Sequence, residues 1–217
     1  MANADTPFGL KPVRHKSGAP YNGAAKPYYI KGDYATALFV GDPVVKTGTA
    51  NTAAVSVPGA GKFGIGTLPE INKTAVGDVD GDTKRITGVI VGFAALPGDL
   101  NKNYNPASTE RVAFVADDPD LVFEIQADGA VPAASIGLNA VLIATHSGST
   151  VTGLSGIELD TTSDSPAADA SNQLTIVGAV NREDNDTTIP HAKVLVTINA
   201  HTEAPGYTAA GDGTLGI

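Results

Sequence analysis

The stretch HAKVLVTINAHTEA, residues 191–204, is the longest part of the chain that contains neither glycine nor proline. Its apolar positions Val194, Val196, Ile198 and Ala200 repeat with a period of two, which predicts a β-strand with one buried face. Elsewhere 25 Gly and 14 Pro cut the 217 residues into shorter pieces, none long enough for several helical turns. The sequence therefore predicts an all-β protein.

Short apolar runs separated by turn residues extend this interpretation to the rest of the chain. The predicted strands are 36–45, 53–57, 85–93, 111–116, 121–127, 138–145, 151–154, 173–180 and 193–200. The clearest unit is a hairpin in which 111–116 and 121–127 flank the turn Asp117-Asp118-Pro119-Asp120. Many short strands of this kind favour a sandwich or barrel, and we expect a jelly-roll-like body at 32–204.

The first 31 residues have the opposite charge to the rest of the chain. Five cations stand there against the single acid Asp5, a net +4, whereas the whole chain carries −9. Four prolines also interrupt this segment, which disfavours helices and central strands. We therefore expect residues 1–31 to form an extended basic arm that is ordered on another subunit, and residues 205–217 to form a Gly/Ala-rich tail. The cations are Lys11, Arg14, Lys16, Lys26 and Lys31.

Composition narrows the possible functions. The chain has no Cys, which excludes disulfides, thiolate catalysis and Cys-based metal sites. No apolar run reaches the length of a membrane span, and no apolar leader region is present, so we expect neither a membrane partner nor a signal peptide. An acidic body argues against nucleic acid as a partner.

One glycine-rich motif and one acidic motif are weak matches to known binding loops. Gly59-Ala60-Gly61-Lys62-Phe63-Gly64 fits the dinucleotide fingerprint, but a proline at position 69 prevents the helix that the fingerprint requires, so a β-turn or bulge is expected. Asp78-Val79-Asp80-Gly81-Asp82 resembles a calcium loop without its glycine and glutamate at the required positions. We expect a surface turn there, with weak cation binding left open.

No constellation of catalytic or metal-binding residues is visible in the sequence. The four histidines lack metal-ligand spacing, and no nucleophile elbow surrounds any serine. The aspartates of the turn at 117–120 are expected to be solvated rather than placed in a cleft. The prediction is a protein that is not an enzyme and has no catalytic, cofactor or metal site.

Tyrosines concentrate at and just after the basic arm. Tyrosine is a common anchor where one side of the ring is packed and the other is wet. Packing of the first strand on its own domain and docking of the arm on a partner are both compatible with this pattern. The candidate partner-binding residues of the arm are Lys11, Arg14, Lys16, Tyr21, Lys26, Tyr28 and Tyr29.

Three stretches resemble structural proteins of tailed-bacteriophage heads. They are Asn3-Ala4-Asp5-Thr6-Pro7-Phe8-Gly9-Leu10-Lys11-Pro12, Ala37-Leu38-Phe39-Val40-Gly41-Asp42-Pro43-Val44-Val45, and Asn181-Arg182 followed by Ala192-Lys193-Val194-Leu195-Val196. The resemblance covers most of the chain and implies a capsid decoration, or cement, protein. Such proteins are β-rich, often trimeric, and stabilise the shell from outside.

The resemblance thus implies the major capsid protein and further copies of this chain, as a homotrimer, as partners. It also implies localisation to the virion exterior after synthesis in the host cytoplasm. The alternative is a tail, fibre or adhesin module that binds a cell-surface glycan. That module would need aromatic platforms in its loops, and the polar loops at 161–172 and 182–188 contain no aromatic residue.

Overall fold

A computed structural model describes residues 2–58, 61–77 and 84–203, and it confirms the all-β prediction. Strands dominate, and a short 3-10 turn lies at Ala133–Ser135. The strands are β1 (Lys11–His15), β2 (Lys26–Ile30), β3 (Pro43–Ala50), β4 (Val55–Val57), β5 (Gly61–Phe63), β6 (Pro69–Lys73), β7 (Gly88–Phe93), β8 (Arg111–Ala116), β9 (Leu121–Gln126), β10 (Asn139–Ala140), β11 (Leu142–Ile143), β12 (Glu158–Leu159), β13 (Leu174–Ala179) and β14 (Lys193–Ile198).

Five of these strands close into a barrel in the order β2-β6-β3-β7-β8. The β2–β6 pair is parallel, and the other neighbours run antiparallel. Small and branched apolar side chains fill the interior, since a five-stranded barrel leaves room only for side chains. They are Tyr28, Ile30, Leu38, Val44, Ile71, Ile90, Ala113 and Val115.

A five-stranded antiparallel sheet in the order β1-β9-β14-β13-β10 packs beside the barrel. Val194, Val196 and Ile198 face its core, as the period of two predicts. The same core includes Val89 and Ala116 from barrel strands β7 and β8, so the sheet packs on the outside of the barrel, and this core is separate from the cluster inside the barrel. Two small pairs, β4–β5 and β11–β12, complete the fold.

The predicted hairpin between 111–116 and 121–127 is wrong, although both strands exist. Strand β8 pairs with β2 and β7 in the barrel, whereas β9 pairs with β1 and β14 in the sheet. The turn at 117–120 therefore joins two layers. All six residues of β9 are buried, including Glu124 and Gln126. Side chains from other segments cover the face that carries these two residues: Gln126 binds Asp5 and Glu158, and Arg182 pairs with Glu124.

Two stretches of the predicted arm belong to the body. Strand β1 pairs with β9 at the edge of the sheet, and β2 pairs with β8 in the barrel. Proline has no N–H to donate to a neighbouring strand, and both positions tolerate this. Pro12 lies on the edge strand β1. Pro27 lies outside the contact between β2 and β6, which pair only at Tyr29 and Glu70. Residues 11–15 and 26–30 are therefore strands of the body rather than parts of a free extended arm, and contact of the segment with another subunit stays a prediction.

Other strand boundaries differ from the predicted ones. Residues 36–42 form only isolated bridges before β3, and 138–145 is split into β10 and β11. The predicted strand 151–154 forms no ladder, and Val151 is 87% exposed. The predicted tail at 205–217 lies outside the described residues.

Two glycines allow the chain near residue 9 to cross the chain near residue 41 at very short range. Gly41 has φ of +93°, and a Cβ there would lie 2.2 Å from the Phe8 carbonyl oxygen. Gly9 has φ of +71°, and its Cβ would lie 2.3 Å from the Gly41 oxygen. The Leu10 N–H donates to that same oxygen at 2.9 Å. Both positions therefore require glycine.

The crossing fixes the carboxylate of Asp42, which is fully buried. Its Oδ2 accepts the Phe39 N–H at 2.9 Å, and its Oδ1 accepts the Ser155 hydroxyl at 2.6 Å. The Lys73 ammonium lies 2.8 Å from Oδ1. A buried carboxylate is thus matched by a cation and two further hydrogen bonds.

Candidate functional site

Residues 3–6 are tied to distant parts of the chain by side-chain hydrogen bonds. Asn3 donates to the carbonyl oxygens of Asp186 and Pro190 at 2.7 and 3.0 Å, and accepts the Asp186 N–H at 3.0 Å. The Thr6 N–H donates to Gln126 Oε1 at 3.1 Å. These bonds hold Asp5, which lies between them, against the body.

The Asp5 carboxylate faces two histidines and one amide. Its Oδ2 lies 3.4 Å from His146 Nε2, and its Oδ1 lies 3.5 Å from His191 Nδ1. Gln126 Nε2 donates to Oδ1 at 3.0 Å. Residues far apart in the sequence thus meet on one carboxylate.

Glu158, on β12, supplies a second carboxylate behind the first. It is 1% exposed and accepts Gln126 Nε2 at 2.8 Å and the Thr145 hydroxyl. His146 Nδ1 lies 3.1 Å from its Oε2. The His146 ring therefore stands between two carboxylates, one at each nitrogen. We call Asp5, His146, Glu158 and His191 the carboxylate–histidine cluster.

Within the described residues, neither Asp5 nor Glu158 forms an ion pair with a lysine or arginine. One ligand atom each from Asp5, His146 and Glu158 can be chosen so that all lie within 4.8 Å of one another. His191 Nδ1 is buried without a hydrogen-bond partner, and His191 has φ of +64°, unusual for a residue with a Cβ.

A cavity of about 890 Å³ opens beside this cluster. Its apolar wall includes Phe8, Leu10 and Tyr21 from the first 31 residues. His146 lies in the wall, so the cluster has a route to solvent through the cavity. Arg182 also lines it and pairs with Glu124 at 2.9 Å. A mainly apolar cavity with a few polar groups is the usual form of a small-ligand site.

The predicted partner-binding residues of the arm separate into three groups. The first group has partners within the chain. Lys16 lies near Asp120, Lys26 lies 2.8 Å from Asp117, and Tyr28 is buried. Lys11 is exposed and Arg14 is partly exposed, and neither has an ion-pair partner among the residues that the structure describes. Tyr21 and Tyr29 are partly buried, and Tyr21 donates its hydroxyl to the Ala24 oxygen at 2.8 Å.

Asp117 corrects the expectation that its turn is fully solvated. Its carboxylate is buried and accepts the Tyr28 hydroxyl at 2.8 Å. Burial and the neighbouring Asp117 carboxylate raise the pKa of Tyr28, so its phenol remains a neutral donor. Asp118 and Asp120 are exposed, as expected. Tyr28 therefore anchors β2 to its own body, which favours packing over docking for this residue.

The other motifs give no catalytic arrangement among the described residues. The glycine motif at 59–64 contributes Gly61–Phe63 to the β4–β5 hairpin rather than to a helix, while residues 59 and 60 lie outside the described part. The calcium-like run at 78–82 also lies outside it. Of the serines near glycines, Ser155 binds Asp42 and Ile157 N–H, which gives it a structural role.

The histidines are the main feature that sequence reasoning missed. A histidine without metal-ligand spacing is expected at a surface or an interface, but His201 is 2% exposed. His146 and His191 also lack such spacing, yet both meet Asp5. Residues 5, 146, 158 and 191 have no local spacing that could reveal this convergence, because long loops bring them together.

Searches against family models, curated proteins and solved structures found no match to this chain. In the part that the structure describes, none of the helices has the length and apolar character to cross a membrane.

Proposed function

We propose that this chain is a structural protein of a tailed-phage virion that binds the outside of the capsid and stabilises the shell. The proposal rests on the resemblance of its three sequence stretches to phage-head proteins and on one feature of strand β1. That feature is a pair of cations on the edge of the sheet, in a chain that is otherwise acidic. The resemblance further implies a homotrimer that bridges major capsid subunits.

A β-bulge places both cations on one side of β1. Lys11 stands opposite Glu124 and Arg14 stands opposite Val122, with the register shifting between Pro12 and Arg14. Glu124 and Val122 are two residues apart and share a face of β9. Lys11 and Arg14 therefore share that face too, although three residues separate them in the sequence.

The three stretches that carry the resemblance also contact one another. The first crosses the second at Gly9 and Gly41, and Asn3 binds the loop that follows Asn181-Arg182. Together they support one surface around β1. Its exposed cations complement acidic shell proteins, and charge complementarity of this kind guides association and partner choice.

Head binding by the Lys11→Ala/Arg14→Ala double variant tests the proposal. The measurement is retention of the full chain on purified heads of its own phage that lack the protein, over a salt series. We expect wild type to bind, and the double variant to lose roughly tenfold in affinity at low salt and less at high salt, because exposed charges are screened. Sedimentation at micromolar concentration reports the trimer.

The matched control is Lys31→Ala, which removes an exposed cation that already pairs with Asp33 at 2.8 Å. It should bind heads like wild type. Failure of wild type to bind heads would overturn the proposed function, and binding to immobilised glycans instead would favour the adhesin alternative. Equal retention of the double variant and the control would show that the cations of β1 do not form the docking surface.

A further inference from the structure

We propose that Asp5, His146 and Glu158 form a binding site for a divalent transition-metal ion of the zinc class, with His191 as an adjacent fourth donor. This inference does not depend on the proposed virion role. It revises the expectation from sequence that the chain has no metal site.

The donor set has the chemistry that zinc prefers. It offers carboxylate oxygens from Asp5 and Glu158 and imidazole nitrogens from His146 and His191. Mixed imidazole and carboxylate ligands are typical of zinc sites, whereas calcium and magnesium sites are built mainly from oxygen. The two histidines therefore favour a transition metal over calcium.

The spacing of the donors is close to that of a metal site. Two ligands about 2.1 Å from a tetrahedral zinc ion are about 3.4 Å apart. His146 Nε2 lies 3.4 Å from Asp5 Oδ2, and its Nδ1 lies 3.1 Å from Glu158 Oε2. One ion takes only one of these two nitrogens, so the spacing that applies to the whole set is that one donor atom from each of the three side chains lies within 4.8 Å of the others.

The charge of the cluster calls for a cation. Two carboxylates meet there, one of them 1% exposed, and their ion pairs in the described part of the chain are with histidines alone. A buried carboxylate requires compensation. Neutral histidines leave a net charge of −2, which a divalent ion neutralises.

His191 provides a second, independent indication of a ligand. Its Nδ1 is buried and makes no hydrogen bond, although Asp5 Oδ1 lies 3.5 Å away. Buried polar atoms in proteins nearly always have a partner, so this nitrogen is available to an ion that also binds the Asp5 carboxylate. The neighbouring cavity, which His146 lines, gives the ion a path to the site.

The experiment titrates the full chain, dialysed against EDTA at pH 7.5, with ZnCl₂ by calorimetry and with CoCl₂ by visible absorption. We expect one ion per chain. Zinc at a hundredfold excess over its Kd should raise the Tm by about 5–10 °C. Asp5→Asn and His146→Gln should each weaken binding at least tenfold.

Two control variants keep the result specific. His15→Gln removes a histidine in a simple pair with Asp118 at 3.3 Å, and Asp80→Asn alters the acidic run that the sequence marks as calcium-like. Both should bind zinc like wild type. In histidine-selective ¹H–¹⁵N spectra of the folded wild type, zinc should shift His146 and His191 and leave His15 unchanged.

Absence of binding up to 100 µM zinc or cobalt, on the order of one hundred times the Kd of a micromolar site, would overturn the proposal. Equal binding by wild type, Asp5→Asn and His146→Gln would also overturn it, as would a loss of binding in Asp80→Asn alone. Folding of each variant is verified by circular dichroism. If a variant fails to fold, the histidine-selective ¹H–¹⁵N spectra of wild type decide the outcome.

Discussion

Among the described residues, the barrel and the adjoining sheet region each hold one carboxylate that is at most 1% exposed, and they compensate it in different ways. Asp42 at the barrel is matched by the Lys73 ammonium, the Ser155 hydroxyl and the Phe39 N–H. Glu158 at the sheet is matched by the Gln126 amide, the Thr145 hydroxyl and the His146 ring. Both carboxylates are at most 1% exposed, so burial alone does not distinguish them.

The difference lies in the cation. A lysine ammonium stays charged across the physiological range, whereas an imidazole gains and loses its proton within that range and binds metals when neutral. The Asp42 site is therefore built to be permanent and structural. Within the described residues, the carboxylate–histidine cluster has no lysine or arginine partner, which is why it carries the metal proposal.

Lys73→Met should have the largest effect. It leaves the Asp42 carboxylate fully buried and without its cation, which costs about 3–5 kcal/mol of unfolding free energy. Urea denaturation at pH 7.5 measures this loss. Lys31→Met, which breaks an exposed ion pair with Asp33, serves as the control and should leave the midpoint unchanged. A small loss in Lys73→Met would show that hydrogen bonds alone hold Asp42.

Glu158→Gln should cost less than Lys73→Met when both are measured in EDTA. The glutamine keeps the shape of the glutamate and one acceptor oxygen for Gln126, so we expect about 1 kcal/mol. Because the variant removes a negative charge with no fixed cation opposite it, the loss stays small. A loss as large as that of Lys73→Met would erase the contrast between the two sites.

The smallest expected effect is a pH dependence from His201. Burial lowers the pKa of this histidine below its usual 6.5, and nearby Glu203 only partly opposes this. Because the unfolded chain binds the proton more readily, the contribution of His201 to stability is complete above pH 6.5 and decreases as the pH falls toward the folded pKa.

His201→Asn keeps an acceptor for the Glu203 N–H and does not titrate. Wild type should lose more stability than this variant between pH 7.5 and 5.5, by at most about 1.4 kcal/mol for each pH unit. Chemical denaturation at each pH measures the difference. Parallel curves for the two proteins would contradict the prediction.

Local signals in the sequence located strands better than they predicted pairing. Arg111–Ala116 has the predicted bounds, and Lys193–Ile198 differs from its predicted strand only at one end. The pairing of β8 with β2 and β7 was not predictable, because a turn at 117–120 is compatible with a hairpin or with a step between layers. Burial of both faces of β8 was the only indication of a step between layers. The strands that decide the pairing of β8 lie outside the local stretch of sequence.

The basic arm and the cluster show the same limit. Prolines and charge are local properties, and they suggested an arm, but Tyr28 and Leu10 are buried by partners from much later in the sequence. Asp5, His146, Glu158 and His191 likewise gain their relation only from the fold. Periodicity and residue spacing describe short stretches of sequence, so they do not reveal polar residues that converge from such distant positions.

The anchoring of Asn3 has a consequence for the order of events during synthesis. Its partners Asp186 and Pro190 are up to 187 positions away, so the ribosome must add almost the whole described chain before they exist. Until then, Asn3 has no partners, although Gly9 and Leu10 can already meet Gly41, and β1 can already pair with β9. Contacts of such long range also slow folding. We therefore expect the anchoring of Asn3 to come last, after the strands of the body have paired.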